Sequence, residues 1–133
     1  MNIKDFEKLC TEFEKKEAEL RSVKGKEYAT DDVLAAICKI ANFIKEPPEK
    51  VCMILLLKHI QSLSKAVSED TTCMWFWEHD GREGLKQRIA DARNYLLLLA
   101  ACLDEKSEYA FWIVGGDRNE KGKMVCSSFV GGF

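Results

Sequence analysis

The chain has 133 residues, enough for one domain whose single core buries roughly two thirds of the unfolded surface without a disulfide or metal staple. Its net charge of −2 comes from 20 basic and 22 acidic residues that are interspersed, so it carries no basic stripe of the kind that duplex nucleic-acid binding needs. The six cysteines form no C-x-x-C pair and sit mostly among apolar neighbours, the pattern of reduced core thiols in a cytoplasmic protein. The N-terminus is amphipathic and acidic, and no apolar run approaches ~20 residues, so the expectation is neither secretion nor membrane spanning.

In chain order, the pattern predicts four helices and a C-terminal β-hairpin. A first helix is expected over 3–24: Ile3, Phe6, Leu9, Cys10, Phe13, Leu20 and Val23 make one stripe, Asn2 is placed to cap it, and Gly25 to stop it. Thr30, Asp31 and Asp32 supply a cap and negative charge for a second helix over 31–45. Pro47 and Pro48 end it, because proline lacks an N–H and pushes the preceding residue out of the helical region, while Pro48 suits the first turn of a third helix over 48–68. Between 69 and 82 lies a connection with an apolar centre, Cys73-Met74-Trp75-Phe76-Trp77, which either plugs the bundle, forms an interface or lines a pocket.

The fourth helix, expected over 83–105, is the most informative. Leu85, Ile89, Ala92, Leu96, Leu99 and Leu103 recur at helical steps while Leu97, Leu98 and Ala100 fill the face that should be wet. A helix apolar all round needs two partners, so this run and the apolar stretch 54–57 predict a homodimer or higher homo-oligomer. Asp91, Asn94 and Tyr95 fall at i, i+3 and i+4 with Arg88 one turn earlier, so they share a face that serves either as a ligand site or as a solvated surface. After Ser107 the composition turns β-branched and aromatic: 109–114 and 124–130 flank Gly115-Gly116-Asp117-Arg118-Asn119, a hairpin signal over about 108–131. The expected fold is one domain, mainly α, with a four-helix-bundle-like core over 3–105 and a C-terminal β-hairpin.

Four short pieces of sequence carry a family resemblance over residues 24–105. They are Lys26-Glu27-Tyr28-Ala29 before Asp31-Asp32; Lys39-Ile40-Ala41 with Pro48-Glu49-Lys50-Val51; Leu56-Leu57-Lys58-His59-Ile60 with Ser62; and Asp91-Ala92-Arg93-Asn94-Tyr95-Leu96-Leu97. In order and spacing they resemble short phage proteins related to the MazG-type all-α nucleoside triphosphate pyrophosphohydrolases and to phage nucleotide-modification-associated domains. Such enzymes hold Mg²⁺ with clustered carboxylates, because hydrolysis between phosphates needs a cation to neutralise charge and place a water. Here Arg88-x-x-Asp91 stands in place of an E-x-x-D group, and Lys58 and His59 stand where acids are expected.

The resemblance therefore implies a metal-free, cofactor-free site in which Arg88, Arg93, Lys58 and His59 attract phosphate directly. Tyr28, Tyr95, Trp75 and Trp77 would stack on a base, with Asn94 and Tyr95 contacting sugar or base and Asp91 orienting Arg88 or accepting a ribose hydroxyl. The expected function is that of a small cytoplasmic homo-oligomer holding a nucleotide or nucleotide-derived signal without cleaving it, an anti-defence role if the chain is phage-encoded. No catalytic residue is assigned. The alternatives are a Mg²⁺-dependent pyrophosphohydrolase and an inhibitor that binds a host protein through the aromatic connection and the hairpin. No membrane partner is expected.

Overall fold

The computed structural model describes residues 1–28, 32–69, 72 and 84–113, and the side chains of all of these except 25, 28 and 109–113. Among the described residues the architecture is four α-helices: α1 Ile3–Tyr28, α2 Ala35–Ile44, α3 Pro48–Glu69 and α4 Leu85–Ile113.

Local chemistry accounts for most of the boundaries. Asn2 caps α1 as expected, its Oδ1 accepting the Asp5 backbone N–H at 2.9 Å. The helix runs past Gly25 to Tyr28, since an interior glycine weakens a helix by only about 1 kcal/mol and the next two residues are good helix formers. α2 starts later than its acidic lead-in suggests. Asp32 Oδ1 accepts the Leu34 N–H at 2.9 Å, a local turn that competes with helix and defers the first helical residue to Ala35. At the other end Lys45 adopts a left-handed conformation (φ 56°), and the Glu46 N–H returns to the Ala41 carbonyl at 3.0 Å. Pro48 then opens α3, with the Lys50 and Val51 N–H groups donating to the Pro47 carbonyl at 3.0 and 3.3 Å.

The C-terminal expectation needs correction. Residues 109–113, assigned above to the first hairpin strand, continue α4. β-Propensity reflects fit to a half-buried pleated surface rather than a backbone preference, so aromatic and β-branched residues follow a helix already propagating through Glu108. The remainder of the expected hairpin, like Thr30, Asp31, Trp75 and Trp77, lies outside the described residues.

Packing centres on α4. Glu49 meets Lys106, Cys52 meets Cys102 and His59 meets Tyr95, so α3 and α4 are antiparallel. Glu12 meets Lys86, Glu17 meets Arg93 and Arg21 meets Asn94, so α1 runs parallel to α4 on its other flank. α2 packs on α3, and the core cluster of Leu34, Ile37, Ala41, Val51, Cys52 and Cys102 ties α2, α3 and α4 together. The two apolar runs split between inside and outside. Leu55, Leu98 and Leu99 pack against this cluster and Leu56 is buried, whereas Ile54, Leu57, Leu96 and Leu97 are exposed.

Two observations bear on the compartment expectations. Cys10, Cys52 and Cys102 are free thiols, but Cys38 is disulfide-bonded, because cysteine spacing carries no information about which sulfurs the fold brings within bonding distance. α3 is long and apolar enough, by length and composition, to cross a membrane. Lys58 and Lys65 interrupt the apolar run without lowering its mean hydropathy below that of a spanning segment, and the core helix of a water-soluble protein passes the same test.

Candidate functional site

Three buried polar side chains sit where α1 crosses α4: Glu17, Asp91 and Asn94, each less than a tenth exposed. Burial without partners would cost several kcal/mol apiece, so the fold supplies cations from the facing helix. Lys24 Nζ lies 3.2 Å from Asp91 Oδ1, Arg21 donates to Asn94 Oδ1 at 2.8 Å, and the Arg93 guanidinium meets the Glu17 carboxylate. That last pair is a charge contact rather than an aligned hydrogen bond, for Glu17 Oε1 accepts none. Phe13 supplies apolar cover, with the Lys86 ammonium and the Arg93 guanidinium each 5.8 Å from its ring centre. On the α3 side, Tyr95 stacks on His59 with ring centres 5.2 Å apart, and Lys24 Nζ lies 5.9 Å from the centre of the Tyr95 ring.

Asp91, Asn94, Tyr95 and His59 are therefore brought together, as a ligand face requires. The first two are buried in helix-to-helix contacts, so they do not form a solvated surface. Lys58 points outward while its neighbour His59 turns inward, which follows from the ~100° between successive helical residues. Arg88 is half-buried one turn before Asp91. The side chain of Tyr28 lies outside the described residues. Sequence reasoning missed Glu17, Arg21 and Lys24. Their signal was present: the three- and four-residue spacing through Cys10 and Phe13 passes through Glu17, Leu20 and Lys24, so a carboxylate on the buried stripe announced a cationic partner.

At the other end of the α3–α4 contact, the Cys52 and Cys102 sulfurs are 3.7 Å apart in the core. The hydrogen bond that the Cys102 thiol shares with Cys52, reinforced by burial, pushes Cys102 far above its ordinary range, so it stays protonated and unreactive at neutral pH. Among the described residues no group of three or more His, Cys, Asp or Glu side chains is placed to hold a metal ion.

A second surface is defined by what fails to cover it. On α3 and α4 the contact pairs 52/102 and 59/95 point at each other. The next residue on each helix turns ~100° further, and in antiparallel neighbours that turn carries both to the same side of the pair. Met53 and Ile60 of α3 thus share a face with Leu103 and Leu96 of α4, joined by Leu57 and Ala100. The five large side chains are 40–56% exposed. The preceding residues turn to the opposite side, where Val51 is packed by α2 and Ala101 adjoins the core. Among the described residues, one side of the α3–α4 pair is roofed by other helices and the other is bare.

No family model, no curated protein and no solved structure is significantly similar to this chain. The likeness to MazG-type proteins rests on the four sequence pieces alone.

Proposed function

We propose that this chain is a helical interaction protein whose working surface is the bare face of α3 and α4. The observation that carries this reading is the composition of that face. In a chain with 32% charged residues, Met53, Leu57, Ile60, Leu96, Ala100 and Leu103 form a patch with no acid or base. Charge depletion at a contiguous apolar centre is what distinguishes the core of a protein interface from ordinary surface. A photo-crosslinking amino acid at Leu57 tests it: irradiation in cells should give adducts with protein, and the same group at exposed Lys15 on α1 should not. Absence of adducts at both Leu57 and Leu103 would overturn it.

One observation favours a second reading, in which the α1–α4 seam holds a nucleotide-derived ligand. The Tyr95–His59 stack lies beside half-exposed Lys24, so an aromatic face and a cation meet at one spot. Thermal-shift screening against linear and cyclic nucleotides, with and without Mg²⁺, tests this. A shift that disappears in Lys24→Ala supports it, and flat curves throughout remove it. The pyrophosphohydrolase alternative has less to stand on, since Asp91 and Glu17 each face a cation from the neighbouring helix.

A further inference from the structure

We infer that the occupant of the bare α3–α4 face is a second copy of this chain, docked face to face across a two-fold axis so that α3 and α4 of both copies make a four-helix layer. This rests on the interaction reading above and names its partner. The first argument is the one-sidedness of the fold. α2 covers α3 and α1 covers α4, while the side that Met53, Leu57, Ile60, Leu96, Ala100 and Leu103 occupy receives no helix of the described chain.

The second argument is complementarity. An uncharged face excludes a nucleic acid or a charged peptide, and it requires a partner with a comparably uncharged pair of helices. A second copy presents that pair. With the two-fold axis in the contact plane, running either along or across the helices, every helix meets an antiparallel neighbour. This is the arrangement of a four-helix bundle, in which the helix dipoles oppose. The isologous contact closes on itself, so assembly stops at two.

The third argument is size. The α3 stripe runs from Met53 to exposed Val67, about 21 Å at ~1.5 Å per residue, the α4 stripe from Leu96 to Leu103 about 10 Å, and each helix is roughly 10 Å wide. The plan area is on the order of 300 Å² per copy, at the lower end of the range at which a bare patch marks a binding site and well below the ~800 Å² per partner of a standard interface. The dimer should therefore dissociate on dilution rather than behave as obligate.

Sedimentation velocity of the full chain over a dilution series decides the matter. The expected result is a species of twice the 15.2 kDa chain mass that falls to one chain mass on dilution. Leu57→Lys with Leu103→Lys should hold the chain at one copy with an unchanged far-ultraviolet spectrum, since both positions are about half exposed. Val23→Lys, exposed on α1 away from the face, should leave the dimer intact. As a check that does not depend on the lysine variant folding, a photo-crosslinker at Ile60 in the purified chain should give an adduct mapping to α3 or α4 of a second chain. A dimer that survives both lysines, or an Ile60 adduct elsewhere on the second chain, would overturn the inference. A chain that is monomeric at every concentration would also overturn it. If that monomer cross-links in cells to a different protein, the interaction reading stands and only the partner is wrong. If it instead floats with phosphatidylcholine–phosphatidylglycerol vesicles and gives no protein adduct, both readings fall and the face is a lipid-binding surface.

Discussion

α4 is held on its two flanks by opposite chemistry. Toward α3, and through it α2, the contact is apolar: Leu34, Ile37, Ala41, Val51, Cys52 and Cys102 exclude water together. Toward α1 it is mostly charge: Glu17, Arg21 and Lys24 against Arg93, Asn94 and Asp91, with Phe13 as the principal buried apolar group of α1. Apolar burial is non-directional and scales with area, so the first flank supplies stability. Paired buried charges gain little net energy, but they penalise any other alignment, so the second flank fixes the register of α1.

If this division holds, substitutions on the two flanks should differ in size and in how they combine. Ile37→Ala, in the apolar cluster at 5% exposure, should cost about 2–5 kcal/mol by the transfer-plus-cavity rule, read as a shift of the urea midpoint. A loss below 1 kcal/mol would show that the cluster is not the stabilising core. On the polar flank, Arg93→Met leaves the Glu17 carboxylate buried beside no cation and should cost about 1–3 kcal/mol, the penalty for an unsatisfied buried group. Adding Glu17→Leu should restore most of that loss, because an apolar pair of similar volume replaces the ion pair. A double mutant as unstable as the sum of its singles would mean that the two side chains are not coupled, contrary to the comparison.

The smallest effect concerns a charged contact at the edge of the apolar flank. Burial pushes the Glu49 carboxyl up, but the hydrogen bond from Lys106, backbone hydrogen bonding and the lysine charge outweigh it, and the group sits below its ordinary 4.5. A depressed folded-state value means stability that is present above 4.5 and lost as pH falls through the lower folded value. Since Lys106 is more than half exposed, the contribution should stay under ~1 kcal/mol. Chemical denaturation of the parent and Glu49→Gln at neutral pH and well below 4.5 should show a difference that vanishes on the acid side; a pH-independent difference would assign the effect to packing.

How legible each element was follows from the range of the forces that set it. Pro47 and Pro48 determined the α2–α3 break, and Asn2 the start of α1, because a missing N–H and a capping oxygen act within one turn. The helical period placed Phe13, Leu85 and Ala92 inside without knowledge of their neighbours. Helix ends at Gly25 and around residue 109 were misjudged, since propensity differences of under ~1 kcal/mol per residue yield to propagation and packing. In the polar cluster, the sequence showed that Asp91, Asn94 and Tyr95 share a helix face and that His59 diverges from Lys58. It did not show that Arg21 and Lys24, some seventy positions away, would meet that face.

By itself, then, the sequence determined the helical class, the main break and which side of each helix is apolar, all consequences of local geometry and of a repeat that any partner would satisfy. Only the tertiary structure decided which apolar side is used. α3 has an inward face and a lateral stripe of similar hydrophobicity, Leu56 on one and Leu57 on the other, and the choice between them depends on where α2, α1 and α4 lie in space. That placement buried Asp91 against Lys24 and left Leu57, Leu96 and Leu103 bare. A one-dimensional pattern records that a surface seeks cover, while the identity of the cover is a relation between segments far apart in the chain.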